Sequence, residues 1–141
     1  MATFSKFNCF TKDVAEKVHN LGADTLKVLL TNTAPTASNT VKANLTEISA
    51  GNGYTAGGTA ASITSSAQSS GTYKLVLADV VFTAAGGSIG PFRYAVLYND
   101  TPTSPADPLI GWYDYGSSIT LADGEALTVD FDPTNGVLTL A

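Results

Sequence analysis

Near neutral pH this sequence offers one general base, His19, and one thiol nucleophile, Cys9, ten residues apart at the N-terminal end. A nucleophile needs a base within hydrogen-bond reach and a third group to orient that base. Both residues lie on one short helix or just past its end, and that spacing offers no such arrangement. Cys9 therefore reads as a small buried apolar group, and His19 as a histidine favourably placed at a helix C-terminus. Carboxylate pairs hydrolyse glycosides without either residue, and the C-terminal half supplies Asp107, Asp114, Asp123, Glu125, Asp130 and Asp132. Two carboxylates on one strand face could also meet a hard cation. The calcium-loop pattern is absent, however, and turn aspartates are common for backbone reasons, so these read as solvated turn residues. Gly51-Asn-Gly-Tyr-Thr-Ala56 matches a loose dinucleotide fingerprint, but Gly57-Gly58 follows and no helix can begin there. No catalytic residue, metal or cofactor is expected.

Trp112, Tyr113, Tyr115, Tyr94 and Tyr98 form a second chemical group. Rings on strands serve as core, as a protein interface, or as a platform on which sugars stack. Arg93 is the only arginine. Its planar guanidinium is suited to neutralising one carboxylate through two parallel hydrogen bonds, most simply inside the fold.

The elements that must position these residues centre on Gly90–Asp100. Phe92, Tyr94, Val96 and Tyr98 alternate with Arg93, Ala95 and Leu97, which describes a strand covered on both sides. Residues 8–18 read as the one helix, with Phe10, Val14 and Val18 as its apolar stripe and Lys12, Asp13, Glu16 and Lys17 in solvent. Asn8 or Thr11 would cap it, and Asn20-Leu-Gly22 would stop it. Asp24–Thr31 reads as a strand with Leu26, Val28 and Leu30 on one face. From Asn32 to Gly71 periodicity fades; Gly51–Gly58 reads as a flexible loop, and Thr59–Thr64 is the strand most easily overlooked. Thr72–Ala78 alternates, and Val80–Thr83 continues it past a bulge at Asp79. Asp123-Gly124 and Asn135-Gly136 are hairpin signals, giving a C-terminal meander of three or four strands. The expected fold is all-β: one antiparallel β-sandwich domain over residues 1–141 with a short N-terminal helix.

Bulk composition narrows the partners. Only 13% of residues are charged, against about 25% in ordinary domains, and the net charge is -5. No Lys/Arg cluster exists to displace counterions, so nucleic-acid binding is not expected. A single cysteine forms no internal disulfide. No run is apolar over the roughly 18 residues of a membrane helix, and the N-terminus lacks the order of a secretory signal, so synthesis in the cytoplasm without membrane association is expected.

Several segments together resemble a family of small tailed-phage virion proteins. They are Lys6-Phe-Asn8, His19-Asn-Leu-Gly22, Asp24-Thr-Leu-Lys-Val28, Leu30-Thr-Asn-Thr-Ala-Pro35, Gly51–Gly58, Gly87–Asp100, Pro108-Leu-Ile-Gly-Trp112 and the terminal Asn135–Ala141. Within that family the closest resemblance is to the capsid decoration, or cement, proteins of short-tailed phages. The resemblance implies a jelly-roll-like sandwich, bound as symmetric oligomers outside the head and stabilising contacts between subunits of the major capsid protein. It carries no catalytic residue. A homodimer is favoured, with a trimer next. Contact is expected through Thr3–Phe10 and Gly51–Gly58, where Phe4, Phe7 and Tyr54 look exposed, with Arg93 and Trp112 as further interface candidates. Removal of residues 2–7 is then expected to weaken capsid binding and spare the fold. The alternative is a tail or surface module that binds host carbohydrate through Trp112, Tyr113 and Tyr115.

Overall fold

The computed structural model describes residues 3–141. Its elements are β1 (Phe4–Lys6), α1 (Asn8–Ala15), β2 (Leu26–Thr31), β3 (Thr59–Ala61), β4 (Ile63–Ser69), β5 (Thr72–Leu77), β6 (Val80–Thr83), β7 (Ile89–Asn99), β8 (Leu109–Leu121), β9 (Ala126–Val129) and β10 (Leu138–Leu140). One sheet has the order β1-β8-β7-β2-β3, a second β10-β5-β4, and a third β6-β9. Every pairing is antiparallel. Side chains from all three sheets meet in one core, among them Leu26, Val28 and Leu30 of β2, Leu75 of β5, Phe82 of β6 and Leu97 of β7. The architecture is the expected antiparallel sandwich with one short helix.

β7 lies in the middle of the five-stranded sheet, and both of its faces are covered. Val96 and Tyr98 join Phe7, Leu29 and Leu109 in a smaller cluster on the outer side. Phe92 does not share that face, as strict alternation would have it, but turns into the main core. The pairing with β8 slips between Phe92 and Tyr94, and such a slip exchanges the faces.

Several local expectations are corrected. The helix ends at Ala15, because Lys17 adopts the left-handed conformation (φ 66) and closes a Schellman turn. The Val18 amide donates to Asp13 O at 2.8 Å and the Lys17 amide to Val14 O at 3.3 Å. Neither Asn8 nor Thr11 caps its start: Phe7 sits there without a side-chain hydrogen bond, and Asp13, expected in solvent, is buried. β6 does not continue β5 in one sheet. The chain crosses between sheets at Ala78-Asp79, pinned where Asp79 Oδ1 accepts the Phe131 amide at 2.9 Å. The C-terminal strands form no meander, since β9 pairs with β6 and β10 with β5. Finally, the loop Gly51–Gly58 is tied down rather than flexible. Gly58 (φ +82) passes so close to β2 that a Cβ there would overlap the Val28 carbonyl.

Candidate functional site

A groove of about 250 Å³ opens where β7 and β8 of the large sheet face β9. Alternation along β8 turns Tyr113 and Tyr115 toward it, β7 contributes Tyr94 and Arg93, and Leu127 and Val129 form the opposite wall beside Asp130. Tyr113 is half-buried, with its ring 5.2 Å from Phe4 and 5.9 Å from Phe131. Burial, helped by the charges of Asp130 and Asp132, pushes its phenol up to about 12, so it remains a neutral hydrogen-bond donor at any physiological pH. Tyr115 is 56% exposed, the most open large apolar side chain among the described residues.

Arg93 makes the expected pair within the fold. Its Nε donates to Asp114 Oδ1 at 2.7 Å and its Nη2 to Oδ2 at 3.0 Å. The guanidinium carbon also lies 5.4 Å from the Tyr94 ring centre. The hydrogen bond to Asp114 raises the arginine further, and the same bond, with the Gly116 amide, holds the Asp114 carboxyl below its ordinary range. Both groups stay charged, and a carboxyl so held is no proton donor near neutrality.

The other candidates lie elsewhere. Phe7 and Tyr54, expected to be exposed, are buried, at 0% and 3% exposure. Phe7 lies under the outer face of the large sheet, its ring 4.6 Å from Trp112, so that two candidate contact residues instead cover each other. Trp112 is half-buried on that face, and the proposed platform of rings is therefore divided: Tyr94, Tyr113 and Tyr115 line the groove, while Trp112 and Tyr98 do not. Tyr54 anchors its loop, where its hydroxyl accepts the Leu30 amide at 3.0 Å and donates to Glu47 Oε1 at 2.7 Å. Tyr98 donates to Gly57 O at 2.5 Å and binds the other end of the loop. Phe4 is half-buried in β1, which pairs with β8 from Phe4 opposite Tyr113 to Lys6 opposite Gly111. Removing residues 2–7 therefore strips a strand and a core ring, and sparing of the fold is no longer expected; residue 2 lies outside the described residues.

His19 is not at the helix end but four residues beyond it, buried, with its ring 5.2 Å from Phe10. Asn99, fully buried at the end of β7, donates to His19 Nδ1 at 3.0 Å and to Asp24 Oδ2 at 2.7 Å, and accepts the Thr101 amide at 3.1 Å. Those partners fix the amide orientation and put the imidazole proton on Nε2. Burial lowers the His19 pKa, opposed by the charges of Asp13 and Asp24. Asn99 carried no sequence signal, because only its tertiary partners make it a structural residue. Tyr54 did carry one, a single large ring among glycines, which marks an anchored turn as readily as an exposed tip. Cys9 Sγ lies 3.6–3.7 Å from the carbonyls of Asn39, Thr40 and Leu109, and burial raises its thiol, so it is not a poised nucleophile.

The groove thus offers flat rings, a guanidinium already paired with Asp114, and the carboxylate of Asp130. Among the described residues no group of His, Cys, Asp and Glu is placed to hold a metal ion, and no helix is long and apolar enough to cross a membrane. No family model, curated protein or solved structure matches the chain.

Proposed function

We propose that this chain is a structural protein of a tailed-phage particle. It decorates the outside of the head as a homo-oligomer and stabilises contacts between major capsid subunits. The observation that carries the reading is the run of family-like segments along the whole sequence. Those segments coincide with scaffold: Gly87–Asp100 contains all of β7, Pro108–Trp112 leads into β8, and Gly51–Gly58 is the anchored loop. A cement protein works by preferring one state of its lattice, and many modest contacts then act together. Arg93, which borders the groove, is already paired with Asp114, so docking leaves that guanidinium without an unmet partner.

Cosedimentation of the purified chain with expanded heads that lack it tests the reading. Saturable binding is expected, weakened by Tyr115→Ala at unchanged fold; absence of binding to heads contradicts it. A second reading, a module that binds host carbohydrate, is favoured by the three tyrosines lining one groove next to Arg93 and Asp130. A glycan array separates the two, since a decoration protein gives no signal above background.

A further inference from the structure

The longest stretch of the chain without Asp, Glu, Lys, Arg or His is 48–73, and it contains the longest strand that ends a sheet. β4 ends the β10-β5-β4 sheet, and among the described residues no strand pairs with its far side. The other strands that end a sheet are short, and β8, unpaired beyond Tyr113 on its β1 side, carries Asp114 there. β1, β3 and β10 have three residues each, and β6 and β9 four. β1 carries Lys6, and Asp130 follows β9. β4 has seven residues, Ile63-Thr-Ser-Ser-Ala-Gln-Ser69, and its pairing with β5 is regular from Ser65 to Ser69. All five of those residues are exposed.

Sheet proteins blunt a free edge with lysine, proline, a bulge or brevity; β4 has one irregularity, between Ile63 and Ser65, and Ser65–Ser69 beyond it carries neither charge nor proline. An undefended edge is a template for a further strand, bound mainly through backbone hydrogen bonds. Charge selects the occupant. Two copies at net charge -5 repel one another wherever carboxylates approach. Antiparallel pairing about a two-fold axis sets a strand against itself, so a charge near the axis would meet its like. A strand with no charge escapes that penalty, and it offers a foreign charged partner nothing to select.

We infer that β4 is a self-association edge: two copies pair β4 with β4 antiparallel, joining their three-stranded sheets into one of six. This deepens the oligomer part of the role proposed above, and its test needs no capsid, so failure here leaves the cosedimentation test of capsid binding intact. Ser65 and Ser69 lie opposite Val76 and Thr72, on the sheet face away from the core residue Leu75. Two double variants, S65K/S69K and S65D/S69D, place like charges against each other in any nearby register.

In sedimentation equilibrium, wild type is expected as a reversible two-chain species. Each variant alone should run at single-chain mass with an unchanged circular dichroism spectrum, and an equimolar mixture of the two should return to two-chain mass. Hydrogen exchange on wild type provides a readout without substitutions, with protection of the Ser65–Ser69 amides rising with protein concentration. Wild type at single-chain mass up to about 1 mM, variants that stay paired, a mixture that stays unpaired, or concentration-independent exchange would each overturn the inference. So would β4 amides that become protected only on addition of heads, which assigns the edge to the capsid.

Discussion

Trp112 and Tyr113 are neighbours on β8 that face opposite ways, and the surroundings of their two faces differ. On the Trp112 side the chain has covered its own sheet: Phe7, Leu29, Val96, Tyr98 and Leu109 are buried there, with Cys9 and Leu45 against them. On the Tyr113 side, next to β9, the cover is incomplete, and Tyr113 and Tyr115 line a groove, with Tyr94 among its bordering residues. The same residue class serves as filling on one face and as surface on the other. What lies above the strand decides which, and composition does not.

Truncation on the closed face should have the largest effect. Phe7→Ala removes a fully buried ring that packs on Trp112, and a loss of about 3–5 kcal/mol in denaturant unfolding is expected. A loss near zero would mean that the outer cluster is not a core. Asn99→Ala comes next. It leaves the buried His19 and half-buried Asp24 contacts unmet, and a cost of about 1–3 kcal/mol is expected in the same assay.

The titration of His19 gives a smaller, pH-dependent effect. Its folded pKa lies below the ordinary 6.5, so the unfolded chain binds the proton first. Stability from this group is therefore complete above that value and declines as pH falls through 6.5 toward the folded pKa. Thermal melts of His19→Gln should show a shallower decline over that window; an identical slope removes His19 as its source. The smallest stability change belongs to the open face. Tyr115→Ala, at a 56% exposed site, should stay within about 0.5 kcal/mol of wild type while weakening binding to heads. A large stability loss would make the groove part of the core and erase the contrast between the faces.

The same contrast shows what the sequence discloses. β2 and β7 were legible because alternating apolar residues report burial directly, and Arg93 because a lone guanidinium in a low-charge chain requires a carboxylate. β4 was legible only at its first residues: Ile63-Thr-Ser-Ser-Ala-Gln-Ser69 is polar on both faces and takes its conformation from β5, not from its own pattern. Asp123-Gly124 and Asn135-Gly136 marked turns correctly, yet turn chemistry fixes local dihedral angles and not the sheet that receives the next strand. The groove follows from that crossing, because β9 reaches it only by leaving β8. Three of its rings were visible as residues, but not that Trp112 would be turned away from them.

Copy number in purified virions tests the central claim most directly. Quantitative mass spectrometry against the major capsid protein should find this chain at a fixed ratio on the scale of the capsid lattice. A handful of copies per particle, or its absence from virions, would contradict a role on the surface of the head.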